Sequence, residues 1–301
     1  MEIKRFAAID IGSNSVRLLI ENVLENVEGP LFKKSALIRV PVRLGANAFS
    51  DHKIPELSIR HLIDTMMAFK YLMKANDVIH YKGCATSAMR EAVNGPQIVK
   101  RIKEQTGIKI DIITGYSEAN MIFNSQTVVR ERVGENCVFI DVGGGSTEIT
   151  IFKAGKVLAS KSFPIGTIRL LQNTVSENDW KKLRTFLKDK TFRLRNISII
   201  GSGGNINRIS KLAQLKPEKP LTFNKLSDIV KQIKSHSYED RMKIFDLNPD
   251  RADVIVPAGE IFIAVMKQLN AEQIFIPKVG LGDGIVREVY KEYLDGVTSV
   301  I

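Results

Sequence analysis

The residues best equipped for chemistry lie in one octapeptide, Asp141-Val142-Gly143-Gly144-Gly145-Ser146-Thr147-Glu148, at the end of the apolar run Cys137 to Ile140. A β-rich run ending in an aspartate and three glycines reads as a strand feeding a tight turn. Glycines admit positive φ and leave amide groups open to a ligand. Successive amides directed into one hollow attract anions, phosphate above all. The carboxylates of Asp141 and Glu148 would repel a bare phosphate, so a divalent cation between acids and ligand is expected.

The pattern occurs twice. Ile9-Asp10-Ile11-Gly12-Ser13-Asn14-Ser15-Val16 aligns without gaps on Ile140 to Thr147, at an offset of 141 − 10 = 131 residues. The candidate phosphate-holding residues are therefore Asp10, Ser13, Asn14, Gly143, Gly144, Gly145 and Ser146. Arg17 adds a planar, permanently charged fork for phosphate oxygens. Two related domains, each aiming a strand-turn-strand hairpin into a shared cleft, account for the repeat. A ligand with a chain of phosphates fits such a cleft, because each hairpin can hold one end.

These hairpins need elements to carry them. Ile3 to Ile9, Ser15 to Val23 and Leu31 to Leu44 read as strands. Pro55 opens a helical pattern to Asn76, with Leu57, Leu62, Met66, Phe69 and Met73 as its apolar stripe. Val78 to Ala85 is strand-like, Thr86 to Ala92 a short helix, Asn94 to Thr106 a helix and Ile108 to Ile113 a strand. A helix from about Ser117 to Val133 marks the boundary between halves. The second half repeats the plan with strands at Asn136 to Asp141, Glu148 to Phe152 and Lys156 to Phe163. Helices follow at Thr167 to Gln172 and Glu177 to Lys190, then a strand at Ile197 to Ile200 and a helix from Ile206. Further helices are expected at Lys225 to Ser235, Tyr238 to Phe245, Val254 to Leu269 and Gly284 to Leu294, with a short strand at Gln273 to Ile276.

A length of 301 residues exceeds the usual single core. Two domains are expected: residues 1–121 with a returning C-terminal helix at about 284–301, and residues 122–283. The charged start and Asp10 within the first apolar run argue against a signal peptide. The best membrane-span candidate, Val254 to Met266, contains Glu260, so a cytoplasmic protein without a membrane partner is expected. Cys84 and Cys137 sit in apolar runs and read as buried small residues, and the four histidines lack metal-ligand spacing. The net charge is +11, and Lys181 to Arg195 alone holds seven Lys/Arg against Asp189. Such a run is either a solvated helix face or a surface that attracts a polyanion. Aromatics interleave poorly with the basic residues, which argues against sequence-specific nucleic-acid binding.

The motifs resemble those of the exopolyphosphatase/guanosine pentaphosphate phosphohydrolase family, within the actin, sugar-kinase and heat-shock-chaperone ATPase superfamily. The residues that carry the resemblance are Ala7 to Leu19, Ala85 to Ala92, Ser117-Glu118-Ala119, Asp141 to Glu148, Gly166 to Leu170 and Arg251 to Pro257. They fall in the family's order along the chain. The resemblance implies an α/β fold of two ribonuclease-H-like (actin-like ATPase) domains and stepwise hydrolysis of a terminal phosphoanhydride with Mg²⁺. It makes Glu118 the general base that activates water, Asp141 and Glu148 the metal-linked acids and Arg90 a phosphate-contacting arginine. A homodimer is expected on the same ground. The chemistry of the side chains agrees: phosphoanhydride hydrolysis needs positioned water and charge neutralisation, with no covalent intermediate. Mg²⁺ usually takes one or two protein carboxylates plus phosphate oxygens and waters.

The sequence departs from the family pattern in places. Ser117-Glu118 replaces a doublet of acids, Asn205 stands where a threonine is usual, and Gly280 to Gly284 carries glycine in place of a basic residue. The chain also ends near Ile301, where the longer family members carry an extra C-terminal helical domain, so short chains or nucleotide polyphosphates are expected as substrates. The reading is an Mg²⁺-dependent exopolyphosphatase acting on a polyanionic substrate. Hydrolysis of guanosine pentaphosphate by the same residues is the close alternative. A phosphotransferase such as a sugar kinase, and a non-catalytic sensor of polyphosphate or nucleotide, are the rivals from other classes.

Overall fold

The computed structural model describes residues 3–25, 29–125, 136–215, 219–277 and 280–296. The chain divides into two compact units, Met1–Ser125 with Val279–Ile301, and Gln126–Lys278.

The first unit is built on five strands: β1 (Ile3–Ile11), β2 (Val16–Leu24), β3 (Leu31–Val40), β4 (His80–Ala85) and β5 (Asp111–Ile112). Their spatial order is β3-β2-β1-β4-β5. β1 runs antiparallel to β2 and parallel to β4. It is the central strand, and Phe6 to Ile11 is buried throughout, which is why that stretch is apolar without alternation up to Asp10. β3 lies at the edge and is largely exposed, so it tolerates Lys33, Lys34 and Arg39.

The helix Glu56–Ala75 buries Ile59, Leu62, Ile63, Met66, Phe69 and Met73. Leu57, expected on this stripe, is 73% exposed. Five residues turn a helix to about 140° from the starting direction, so Leu57 and Leu62 cannot share a face. The strand expected at Ile108 to Ile113 contracts to β5. Ile108, Ile110 and Ile113 are nonetheless buried, so their spacing reflects packing rather than strand pairing.

The return into the first unit comes earlier than expected. Its helix spans Leu281–Leu294, and Asp283 accepts the Gly280 N–H at 2.8 Å, capping the new N-terminus. Lys34 pairs with Asp283 at 2.7 Å, which ties residues 280–283 to β3 and not to the second unit.

The second unit repeats the first. Its strands are β6 (Asn136–Val142), β7 (Thr147–Lys153), β8 (Lys156–Phe163), β9 (Ser198–Ser202), β10 (Leu221–Thr222) and β11 (Gln273–Ile274). The sheet order is β8-β7-β6-β9, and Phe275, just beyond β11, bridges in parallel to Ile200 at the fifth position. Both units thus share the ribonuclease-H-like order and the same pattern of strand directions. Even the bulges correspond: β2 and β3 slip register between Ile20 and Glu21, and β7 and β8 between Ile151 and Phe152, which is again the offset of 131 residues. The largely apolar helix Ile255–Gln268 packs into the core with Phe163 and Leu183 among its members.

The helix expected from Ser117 to Val133 is present as Gly115–Asn124, and residues 126–133 lie outside the described residues. Cys84 and Cys137 are buried thiols, and burial pushes the Cys84 thiol up to about 12, which makes it no nucleophile. Among the described residues no helix is long and apolar enough to cross a membrane.

Candidate active site

The two glycine-containing turns are the same structure made twice. In the first, the Gly12 N–H donates to the Ser15 carbonyl at 3.1 Å, and in the second Gly143 donates to Ser146 at 2.9 Å. Each turn is then anchored by the segment after its unit's third strand. Gly45 donates to the Ser13 carbonyl at 2.8 Å and Arg43 to the Asn14 carbonyl at 3.1 Å. Thr167 and Ile168 donate to the carbonyls of Gly143 and Gly144 at 3.1 and 2.8 Å. The third carbonyl, of Gly145, takes the Nε–H of buried Arg169 at 2.7 Å.

This anchoring fixes where the amides point. In a trans peptide the N–H lies opposite the preceding C=O, and none of the described peptides is cis. Tethering the carbonyls of Gly143, Gly144 and Gly145 therefore turns the N–H groups of Gly144, Gly145 and Ser146 away from the helix Thr167–Leu171. Among the described residues these three amides have no backbone acceptor. Three aligned, unused donors make an anion-binding hollow. Gly166 permits the close fit, since a Cβ there would lie 2.3 Å from the Gly144 carbonyl oxygen.

The acids differ between the turns. Asp10 is 5% exposed and pairs with Arg17 at 3.2 Å. Burial pushes its carboxyl above the usual range, and the Arg17 charge and hydrogen bond oppose that. In the second unit the position of Arg17 is taken by Glu148, directly opposite Asp141 across the hairpin. Glu148 is 3% exposed, and its Oε1 accepts the hydroxyls of Ser146 at 2.6 Å and Ser162 at 2.9 Å. Gly203, at φ 116°, leaves room beside the Asp141 carboxylate: a Cβ there would stand 3.4 Å from its Oδ1.

Two carboxylates facing each other at one end of an anion hollow fit a hard divalent cation that shares its shell with water and phosphate. Among the described residues no group of three or more His, Cys, Asp or Glu could hold a metal.

Glu118, 9% exposed, lies in the first turn of the helix Gly115–Asn124. Thr114 opens that helix by accepting the Ser117 N–H on its hydroxyl at 3.1 Å, while its carbonyl takes the Glu118 N–H at 3.0 Å. Arg90, on the helix Ser87–Glu91, donates from Nη1 to the Ile113 carbonyl at 2.8 Å. The same helix reaches the first turn through Ser87, whose Oγ lies 2.9 Å from that of Ser13, both buried. The helix Ser87–Glu91 thus bonds to the first turn through Ser87 and to Ile113, two residues before the helix that bears Glu118, through Arg90.

The first unit therefore holds Asp10, Ser13, Asn14, Arg17, Arg90 and Glu118, and the second holds Asp141, Gly143, Gly144, Gly145, Ser146 and Glu148. Sequence reasoning gave no supporting role to Arg43, Gly45 or Ser162, nor to Ser87 and Thr167 within the motifs Ala85 to Ala92 and Gly166 to Leu170. The strand register and the group each one reaches reveal that role.

The Ppx/GppA phosphatase family model matches residues 25–292. Exopolyphosphatase 1 of Mycobacterium leprae is 23% identical over 321 residues, covering 98% of this chain and 92% of that protein. The guanosine-5'-triphosphate,3'-diphosphate pyrophosphatase of Photobacterium profundum is 26% identical over 299 residues, covering 94% of this chain and 59% of that protein. The crystal structure of the Aquifex aeolicus member of the Ppx/GppA protein family superposes with a TM-score of 0.76 at 27% identity, over 97% of this chain and 99% of that one.

Proposed function

The chain belongs to the Ppx/GppA phosphatase family, and on that premise we propose that it is an Mg²⁺-dependent phosphohydrolase removing the terminal phosphate from inorganic polyphosphate. The observation that carries this reading is the facing pair Asp141 and Glu148 beside a hollow of unused amides. When bound, Mg²⁺ would sit against these two carboxylates and neutralise phosphate charge. The N–H groups of Gly144, Gly145 and Ser146 hold phosphate oxygens, and Arg17 and the Ser13 turn do the same in the first unit. Glu118 accepts a proton from water as the water oxygen bonds to the terminal phosphorus. The bond from that phosphorus to the bridging oxygen breaks, and the shortened chain leaves with the bond's electron pair. Loss of one charge-stabilising contact of this kind costs about 3–4 kcal/mol of barrier.

Guanosine pentaphosphate carries the same terminal phosphoanhydride, and the similarity to the Photobacterium profundum pyrophosphatase favours it as the second substrate. Purified protein incubated with polyphosphate, guanosine pentaphosphate or ATP, with and without Mg²⁺, tests the reading. Mg²⁺-dependent phosphate release from polyphosphate, at the highest kcat/KM of the panel, is expected. Release no greater than that of Glu118→Gln would overturn it. A cytoplasmic location and homodimeric assembly, carried over from the family, complete the reading, and cell fractionation and light scattering test them.

A further inference from the structure

Between Lys181 and Arg195 the chain carries seven Lys/Arg against Asp189. The helix Glu177–Thr191 and the residues after it display them on the second unit, with Lys181, Lys188, Lys190, Arg193 and Arg195 all exposed. Among the described residues Arg184 forms an ion pair with Glu177, and none of those five does so. A favourable interaction with the helix dipole accounts for Lys188 and Lys190, which lie in the last turn. It does not account for Lys181 in the helix interior or for Arg193 and Arg195 beyond the end.

The cations are also ordered. Lys181, Arg184 and Lys188 follow the i, i+3, i+7 spacing of one helix face. Phe192 continues the stripe, since its backbone stays helical at φ −47°, ψ −37°. At 1.5 Å per residue the stripe rises roughly 16 Å. Any solvated helix face has this spacing; what suits a linear polyanion is that these positions are cations. Phe192 is 79% exposed, whereas Trp180 and Phe186 of the same helix pack against the core. Binding a run of nucleobases takes several aromatics, so the stripe suits a charged chain without bases.

We infer that this stripe is an accessory surface that holds the unreacted stretch of a long inorganic polyphosphate, apart from the residues that act on its end. The inference rests on the polyphosphate reading and departs from the short-chain expectation drawn from the sequence: tripolyphosphate has no distal stretch to lay on the stripe.

The test compares the wild type with a Lys181→Gln/Lys188→Gln variant, which removes two cations of the stripe. Fluorescence anisotropy with labelled long-chain polyphosphate in EDTA reads binding, and phosphate release with Mg²⁺ reads turnover. The expected result is a roughly tenfold loss of long-chain affinity, a salt slope smaller by about 2, and an unchanged kcat/KM for tripolyphosphate. Equal long-chain affinity in the two proteins, or an equal loss on tripolyphosphate, would overturn it. If neither protein releases phosphate, the hydrolase reading fails, and the anisotropy comparison still decides the surface by itself. A single-stranded oligonucleotide of equal charge that displaces the chain at lower concentration would give the stripe to nucleic acid and overturn the inference.

Discussion

Asp141 and Glu148 stand opposite each other across the β6–β7 hairpin at the position where the β1–β2 hairpin has Asp10 opposite Arg17. One repeat carries an ion pair there and the other a pair of acids. Like charges in direct cross-strand register destabilise a sheet. Stability does not explain such a pair, and the cation proposed between the carboxylates would.

Glu148→Gln is therefore expected to separate stability from activity. Its thermal midpoint should stay level or rise, by ~0.2–1 kcal/mol of relieved repulsion, since the amide oxygen still accepts from Ser146 and Ser162. Its kcat should fall about 10²–10³-fold. Calorimetry and steady-state kinetics on the same preparation check this, and a marked loss of stability would contradict the metal assignment.

Gly166→Ala should open the second turn. The added Cβ would lie 2.3 Å from the Gly144 carbonyl oxygen, so the turn or the helix after it must shift. A loss of about 1–3 kcal/mol in stability and most of the activity is expected. Gly280→Ala is the control, because nothing stands within 4 Å of a Cβ there. Chemical denaturation and kcat/KM of both variants make the comparison.

Arg90 touches the Ile113 carbonyl at the entry to the helix that bears Glu118. If that support is its main task, Arg90→Ala should lower kcat at least tenfold and leave KM within about twofold, the pattern of an interaction used only in the transition state. Arg17→Ala should instead raise KM. Kinetics that showed the reverse split would return Arg90 to direct phosphate binding.

Glu21 is buried at the β2 bulge. Burial, with the Asp283 charge beside it, pushes its carboxyl from 4.5 up to about 7, against the pull of Arg287 and Lys34. The folded state thus favours the protonated form. Its contribution to stability is complete below about pH 4.5 and is lost as pH rises through about 7. Glu21→Gln, which imitates the protonated carboxyl, should flatten this part of the profile and gain on the wild type as pH rises. Thermal midpoints measured from pH 5 to 8 check the sign, and a gain that shrinks with rising pH would refute it.

Much of this molecule is local and was therefore legible. A strand that ends in aspartate and glycine is set by neighbours in sequence, and its recurrence 131 residues later announces two related units before any packing is known. The acids and glycines of the two hairpins suggest their chemistry by type and spacing, whereas Glu118 is singled out only by the resemblance to the family.

What holds them was decided elsewhere. Arg169 reaches Gly145 across 24 residues, Ser162 reaches Glu148 across 14, and Arg90 reaches Ile113 across 23. Asp283 joins the first unit because Lys34 on a distant strand meets it. Each partnership is chosen by strand register and by which carbonyl lacks a donor once the chain has closed on itself. A residue's identity states what its side chain can donate or accept; only the tertiary structure selects which group receives it.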